Sequence, residues 1–324
     1  MKLSDYRKRY RALWNPNMYH GWGRTRNYFE GWYVKLVDPT EQYVFALIPG
    51  IHMDAAGEQH AFVQVLDGKQ ATAGYHRYPA AAFQPAADRF AVHVGDSFFS
   101  DRALVLQLPE LQGTLALENL VKWPATLGAP GVMGWYSFVP FMQCYHGVVS
   151  MDHRLHGALQ VNGTPVDFTG GRGYLEKDWG RSFPDAWIWL QTNHWDTPTP
   201  SSLMVSIGHI PWLGTHFVGF LGGWYFDHTL YRFATYTGAN MEARLADDQL
   251  YLTIKQKSIR LEIIAHHAPG GELVSPISGE MTGKVNESMQ ARVELHFFVD
   301  GQLRYAGEGR NAGMEVAGKV ETLL

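Results

Sequence analysis

Short alternating or apolar runs, separated by turn dipeptides, follow one another through most of this 324-residue chain. Their period is closer to two than to 3.6, which is typical of strands. Three hairpin signals lie among these runs: Asp67-Gly68, Asn162-Gly163 and Asp300-Gly301. Each dipeptide tolerates the positive φ values of a type I′ turn, so each predicts two antiparallel neighbouring strands. The pattern therefore predicts a mainly β protein.

The number of strand candidates sets the expected domain count. The runs are too many for one closed barrel, because about eight strands already close a barrel with room for a small ligand. Two antiparallel barrels or sandwiches of about 150 residues each fit the pattern better. We place the boundary at the Pro184 turn, which predicts an N-terminal domain over 1–183 and a C-terminal domain over 184–324.

The first twenty residues predict a short helix that precedes the strands. Apolar side chains recur there at roughly helical spacing among basic ones, which leaves two interpretations. The helix either makes peripheral contact with a membrane or, capped by Ser4 or Asp5, lies across the core. The apolar positions are Leu3, Tyr6, Tyr10, Leu13 and Trp14, and the basic ones are Lys2, Arg7, Lys8, Arg9 and Arg11.

Composition excludes several classes of protein. The chain has 27 Lys+Arg against 31 Asp+Glu, and this balance argues against a nucleic-acid partner. Its single cysteine, Cys144, cannot form an intramolecular disulfide, which favours a reducing compartment. Neither an apolar run long enough to span a membrane nor a secretory signal occurs. The sequence therefore predicts a cytoplasmic location, with or without peripheral contact with a membrane.

Motifs for metal or cofactor binding are missing or weak. His146, Ser150 and Asp152 share one face of a predicted strand, followed by His153 and His156. This spacing matches no standard zinc pattern. The sequence contains no GxSxG elbow, no P-loop and no dinucleotide fingerprint. We therefore predict that the protein uses neither a metal nor a cofactor.

The segment 170–195 carries the densest mixture of charges and aromatic rings. If 172–179 is extended, side chains alternate between two faces. For two carboxyls on one buried face, burial and the like-charge neighbour would raise the pKa of at least one of them and leave a neutral acid near pH 7. Alternatively, Lys177 and Arg181 neutralise both acids in a structural network. One face carries Tyr174, Glu176 and Asp178, and the other carries Leu175, Lys177 and Trp179.

The next predicted strand presents aromatic and amide side chains on one face. Indole rings can hold flat ligands and stabilise a developing cation, so this face is either the wall of a pocket or part of a barrel core. Trp187, Trp189, Gln191, Asn193 and Trp195 fall on this face, with Ile188, Leu190, Thr192 and His194 on the other.

A single acid lies among aromatic residues near the start of the chain. In the segment 27–36, Tyr28, Glu30, Trp32 and Val34 share one strand face. Glu30 is therefore either a buried functional acid or half of a structural ion pair, with Arg24 or Arg26 as its partner. Taken alone, the segment favours the ion pair.

Four motifs together resemble the tocopherol cyclase family, which is more distantly related to the carotenoid hydratases that make hydroxyneurosporene. They are YFEGWY at 28–33, GWYSFVPFMQCYHGVVS at 134–150, GRGYLEKDWGRSFP from 171 and WIWLQTNH from 187. The resemblance implies two lipocalin-like antiparallel β-barrels packed together. It also implies a reaction without metal or redox cofactor: protonation of a prenyl double bond to a tertiary carbocation, which a neighbouring phenol traps as a chromanol ring.

On this resemblance we expect Asp178 or Glu176 to donate the proton, with Glu30 as a partner or alternative donor. Trp32, Tyr33, Trp187 and Trp189 would form the aromatic wall, and Asn193, His194 or Tyr174 would orient the phenol. Trp179 and Gln191 complete the expected substrate-binding set.

The substrate class expected from the resemblance is a prenylated hydroquinone or a related isoprenoid. The chain starts with a charged helix instead of a transit peptide, so it resembles a bacterial member of the family. A lipocalin-like carrier that binds a lipid without changing it remains the alternative, because such a carrier needs the cavity but not the acid.

Overall fold

The computed structural model describes residues 2–140, 142–212, 214–277 and 279–324. Within these ranges the fold is mainly β, with two antiparallel sheets and one α-helix, α1, over Leu3–Trp14. The predicted mainly β class and the short N-terminal helix are therefore confirmed. The described part of the chain also contains short 3-10 segments at Ala80–Ala82, Gly134–Phe138, Thr235–Thr237 and Val320–Leu323.

In the described ranges the first sheet has twelve strands, in the order β4-β3-β2-β1-β12-β10-β9-β8-β7-β6-β5, with β11 paired to β10. The strand β12, which carries the charged motif, therefore lies between β1 and β10. The strands are β1 (Tyr28–Val37), β2 (Val44–Met53), β3 (Gln59–Asp67), β4 (Thr72–Pro79), β5 (Phe83–Pro85), β6 (Ala91–Val94), β7 (Ser97–Ser100), β8 (Ala103–Gln107), β9 (Leu111–Glu118), β10 (Cys144–Val161), β11 (Thr164–Asp167) and β12 (Arg172–Gly180).

The second sheet, counted over the residues that the structure describes, has eleven strands in the order β17-β16-β15-β13-β23-β22-β20-β19-β18, with β14 paired to β23 and β21 to β22. The strand β13, which carries the tryptophan motif, lies between β15 and β23. The strands are β13 (Ala186–Thr192), β14 (His194–Trp195), β15 (Ser201–Trp212), β16 (Thr215–Phe226), β17 (Thr229–Ala234), β18 (Asn240–Ala246), β19 (Gln249–Gln256), β20 (Ile259–His266), β21 (Gly271–Ile277), β22 (Glu280–Val299) and β23 (Gln302–Gly318).

The chain divides into two compact units. Each has its own core of buried side chains from alternate strand positions, around Trp32 and Phe99 in unit 1 and around Ile188 and Trp224 in unit 2. Unit 1 comprises Met1–Asp67, Ala73–Phe183 and Leu273–Lys284, and unit 2 comprises Gly68–Thr72, Pro184–Glu272 and Val285–Leu324.

The turn residues explain where the hairpins form. Asn162 and Gly163 have φ values of 48° and 81°, and Asp300 and Gly301 have 52° and 74°. These positive values confirm the turn chemistry predicted for both dipeptides. After Asp67, in contrast, the positive φ falls at Ala71 (53°), and β4 begins only at Thr72. This connection is therefore longer than a two-residue turn.

The helix α1 begins earlier than its predicted caps. Lys2 is the N-cap residue, and the carboxylate of Asp5 accepts a hydrogen bond of 2.8 Å from the Lys2 backbone N–H. The predicted capping by Ser4 or Asp5 is therefore wrong, because Asp5 lies inside the first turn and there stabilises the helix N-terminus. Among the described residues, no helix is long and apolar enough to cross a membrane.

Candidate active site

The side chains of β12 lie alternately on the two faces of the first sheet. Leu175 and Trp179 belong to the core of unit 1, and because side chains alternate along a strand, Lys177 shares their face. We call this the inner face of the sheet. Tyr174, Glu176 and Asp178 lie on the opposite, outer face, as the alternation predicts.

The outer face holds an acid cluster of Tyr174, Glu176, Asp178 and His146. His146 on β10 is directly opposite Asp178 in the strand register, and its Nδ1 lies 2.9 Å from Asp178 Oδ1. Its Nε2 lies 3.5 Å from Glu176 Oε2. The hydroxyl of Tyr174 donates a 2.5 Å hydrogen bond to Glu176 Oε2. One imidazole therefore lies between two carboxyl groups.

The charge state of His146 follows from this position. Burial alone lowers its pKa, but the nearby Glu176 and Asp178 carboxylates outweigh burial and raise the pKa to about 9. His146 is therefore an imidazolium at neutral pH. Burial and the Glu176 charge raise the pKa of the Tyr174 phenol, and burial and Asp178 raise that of the Cys144 thiol. Both of these groups stay protonated.

The members of the acid cluster differ in accessibility. The side chain of Asp178 is 28% exposed, whereas those of Glu176 and His146 are 5% and 10% exposed. Asp178 is therefore the carboxyl that a bound molecule could reach, and His146 connects it to the more deeply buried Glu176.

The sequence pattern predicts only part of the acid cluster. It places His146 on one face with Ser150 and Asp152, as a weak metal candidate, but β-bulges interrupt β10 on both sides of Ser150. Asp152 instead forms an ion pair with Arg172, at 2.8 Å. The missing information is the pairing of β10 with β12, because a pairing between segments 32 residues apart has no local signal.

Among the residues that the structure describes, two groups of side chains could hold a metal ion by distance alone. Ligand atoms of His146, Glu176 and Asp178 lie within 4.8 Å of one another, as do those of Asp185, His209 and His216 in unit 2. In the first group the two carboxylates meet different nitrogens of the same imidazole ring. In an imidazolium both nitrogens carry a proton, so each N–H of His146 points to a carboxylate.

The inner face holds a buried ion pair. Lys177 and Glu30 are both 0% exposed, and the ammonium of Lys177 donates to Glu30 Oε1 and, at 2.7 Å, to the carbonyl of Met18. The Tyr28 hydroxyl donates to Glu30 Oε2, and so does the backbone N–H of His20, at 2.9 Å. The carboxylate therefore has the partners that a buried charge requires.

These contacts decide the role of Glu30. Burial raises its pKa, but Lys177 and His20 outweigh burial and lower the pKa to about 2. Burial lowers the pKa of Lys177 to about 8, with Glu30 acting in the opposite direction. Glu30 is therefore an anion at neutral pH, which argues for the structural ion pair and against a proton donor. Its partner is Lys177 and not Arg24 or Arg26.

The strand register separates Glu30 from the acids that it was expected to assist. Glu30 lies opposite Trp179, and Trp32 lies opposite Lys177, so all four belong to the inner face. The Lys177 ammonium lies 4.6 Å from the rings of both Trp32 and Trp179. Tyr33, in contrast, is opposite Glu176 on the outer face. The expected site residues of unit 1 therefore divide between two faces of one sheet.

The tryptophan motif lies in unit 2 on β13 and β14. Ile188 and Leu190 enter the core of that unit, so Trp187, Trp189 and Gln191 face away from it. The indole N–H of Trp187 donates a 2.6 Å hydrogen bond to Glu315.

The predicted alternation fails at Asn193, where β13 has ended and β14 has not begun. Trp195 belongs to the core cluster and lies 5.0 Å from the Trp224 ring. Its predicted place beside Trp189 is therefore wrong, because the irregular residue Asn193 shifts the next residues to the opposite face. By the same shift, His194 joins the face of Trp187 and Trp189. Gln191 and Asn193 are fully buried.

Fold and site together define a mainly β protein of two sheets, with an acid cluster in which the His146 imidazolium lies between two carboxyl groups. The family model described as tocopherol cyclase-like matches residues 107–318. The chain belongs to this family, which confirms the resemblance seen in the sequence.

Two curated relatives are chloroplastic plant proteins: "Probable tocopherol cyclase, chloroplastic" of Oryza sativa subsp. japonica, with 25% identity, and "Tocopherol cyclase, chloroplastic" of Zea mays, with 24% identity. Each match covers 108 residues, which is 32% of this chain. The match spans only 23% of the length of either relative.

Solved structures share the fold at low sequence identity. A protein assigned as AttH from Nitrosomonas europaea matches with a TM-score of 0.52 and 16% identity, over 90% of this chain and 92% of that one. The protein CghA, crystallised with Sch210972, matches with a TM-score of 0.57 and 10% identity, over 90% and 88%. At this identity the likeness concerns the fold alone.

We expect Lys177→Met to destabilise the protein by about 3–5 kcal/mol, because it leaves the buried Glu30 carboxylate without its cation. Urea denaturation measures this loss. The double variant Glu30→Gln, Lys177→Met should recover part of it, because no charge is then left unpaired. Lys122→Met removes an exposed ion pair with Asp101 and should cost less than about 1 kcal/mol. Equal losses for Lys177→Met and Lys122→Met would contradict the proposed structural role.

We expect His146 to make the folding stability depend on pH. Its folded pKa of about 9 exceeds the ordinary value of 6.5, so its stabilising contribution is complete below pH 6.5 and disappears as the pH rises through 9. Unfolding free energies of the wild type and His146→Asn, measured from pH 6 to 9.5, should converge by about 3 kcal/mol. His156→Asn, at an exposed position of the same strand, is the comparison. A difference that stays constant over this range would refute the charge assignment.

Proposed function

We propose that this protein is a cyclase that converts a prenylated hydroquinone, or a related isoprenoid, into a chromanol-type ring. The observation that carries the proposal is the position of His146 between Glu176 and Asp178 in a chain of the tocopherol cyclase-like family. Such a reaction needs a proton donor, a site that controls water, and a means of stabilising a carbocation. The acid cluster is the candidate for the first and third requirements.

In the proposed reaction, the proton held between His146 and Asp178 moves to the less substituted carbon of the prenyl double bond. The other alkene carbon becomes a tertiary cation, and the phenol oxygen attacks it to close the ring. The phenolic proton then returns to the cluster, so substrate and product are isomers and the protein is unchanged. We assign delivery of the proton to Asp178, because its side chain is the most accessible of the three.

The charge of the cluster favours this step. With both carboxylates ionised, Glu176, His146 and Asp178 together carry a net charge of −1, which becomes −2 when the proton leaves. The negative charge therefore grows at the moment when the carbocation forms beside it. A fixed charge complementary to the transition state lowers the barrier more than the ground-state energy. Glu176 keeps its orientation through the Tyr174 hydroxyl.

The test is incubation of the purified protein with a panel of prenylated hydroquinones in D2O. We expect a chromanol with one non-exchangeable deuterium on the former alkene carbon, because that proton comes from an exchangeable donor. Asp178→Asn should lower the rate by at least ~100-fold, the usual contribution of a positioned acid, and Glu176→Gln should also lower it. Glu118→Gln, at an exposed acid on β9, should not.

One result would contradict the assigned donor, and another would contradict the cyclase itself. Full activity in folded Asp178→Asn would exclude the assigned donor. No deuterium in any panel product, together with a lipid that copurifies with the wild type, would favour the alternative of a carrier. A carrier would also keep binding that lipid after both acid substitutions.

We also propose that α1 makes peripheral contact with an anionic membrane. Leu3, Tyr6 and Tyr10 share one helical face and are 72%, 56% and 67% exposed. The indole N–H of Trp14 donates a 3.1 Å hydrogen bond to the carbonyl of Leu127, whose side chain is 85% exposed. These apolar groups lie among basic side chains, a combination that favours the interface of anionic lipids.

Flotation with vesicles tests this contact. We expect binding to vesicles that contain phosphatidylglycerol, weaker binding to pure phosphatidylcholine, and release by 0.5 M salt, because screening weakens the electrostatic part. Leu3→Glu and Tyr10→Glu should each reduce the bound fraction about fivefold. Leu303→Glu, at an exposed leucine of unit 2, should not. Equal binding of all variants would overturn the assignment to α1.

A further inference from the structure

Unit 1 contains a cavity of about 400 Å³ beneath α1. Its wall includes Trp179 and Tyr28, which belong to the inner face of the sheet, and Ala12 of the helix. The acid cluster lies on the outer face, so the cavity is a separate site. Its volume lies within the range of cavities that hold small molecules.

One wall of the cavity is a stack of three flat rings. The His20 ring lies 4.2 Å from the Trp179 ring with 12° between their planes, and the Tyr145 ring lies 5.4 Å from Trp179 with 9° between them. Burial and the Lys177 charge lower the pKa of His20 to about 4, so its ring is neutral. The wall is therefore uncharged and suited to a flat ring or an unsaturated chain.

The lining also carries three cationic side chains. Arg9, Arg24 and Arg181 line the cavity, and its described lining residues include neither Asp nor Glu. Burial and the neighbouring Arg24 charge lower the pKa of Arg9, as expected where guanidinium groups converge. The Glu30 carboxylate on the inner face already accepts hydrogen bonds from Lys177, Tyr28 and the His20 backbone. The cavity thus combines an aromatic wall with three arginine side chains.

We infer that this cavity binds an amphiphilic organic anion, with a phosphate or carboxylate head and a flat or unsaturated apolar body. Guanidinium groups match the paired oxygens of both heads. The rings would cover the apolar body, which alone would not require three arginines. This ligand differs in charge from the neutral hydroquinone proposed as the substrate, so the inference goes beyond the proposed function and does not depend on it.

The experiment uses two fluorescent probes with the same rings. The anion 8-anilino-1-naphthalenesulfonate carries a sulfonate, which N-phenyl-1-naphthylamine lacks. We expect one site per chain for the anion, at least ~10-fold tighter binding than for the neutral probe, and a marked loss of this preference in 0.5 M salt. The salt comparison needs no variant. Dodecyl phosphate and dodecanoate then distinguish the two head groups by competition, with dodecanol as the uncharged control.

Variants assign the site. Arg24→Gln and Arg181→Gln change exposed arginines and should each weaken binding of the anionic probe about 10-fold, with little effect on the neutral probe. Arg7→Gln and Arg26→Gln remove the same charge from nearby exposed positions outside the lining and should change binding less than ~2-fold. Equal affinity for both probes, or equal losses in all four variants, would overturn the inference. Chromanol formation in D2O is a separate readout, so failure of either proposal leaves the other standing.

Discussion

The buried ion pair between Glu30 and Lys177 is the interaction on which the arrangement of unit 1 depends. Two charges without solvent exposure are tolerated only if each finds its partners inside the protein. Lys177 satisfies this condition with the carbonyl of Met18, and Glu30 does so with the backbone of His20. The segment after α1 is therefore fixed to the inner face of the sheet. The helix and the cavity beneath it depend on that attachment.

The alternation of a single strand then separates two kinds of chemistry. On the inner face, β12 contributes Trp179 to the wall of the arginine-lined cavity and Lys177 to the buried ion pair. On the outer face it contributes Glu176 and Asp178, which with His146 form a group of net negative charge. A site that needs an acid and a site that attracts an anion would impair each other if they shared one space. One layer of backbone keeps them apart.

Local sequence is enough to predict the turns and the faces of single strands. The turn dipeptides at Asn162 and Asp300 determine backbone geometry through their own side chains, and the alternation from Tyr174 to Trp179 follows from strand geometry. Pairings across the chain could not be predicted in the same way. Lys177 and Glu30 are 147 residues apart, and His146 joins Asp178 only because β10 pairs with β12. The irregular residue Asn193 likewise reverses the predicted face of Trp195, since nothing in WIWLQTNHW marks where the strand stops.

The choice between a structural salt bridge and an acid–base site depends on which face Lys177 occupies. Had Lys177 paired with Glu176 and Asp178, a cation of ordinarily high pKa would hold both as carboxylates, and no proton would be available near neutral pH. Because Lys177 faces Glu30 instead, the carboxyls have an imidazole between them. An imidazolium can release its proton to either neighbour, and the pKa of His146, about 9, keeps that proton within the cluster at neutral pH. The buried ion pair on one face is thus what allows an exchangeable proton on the other.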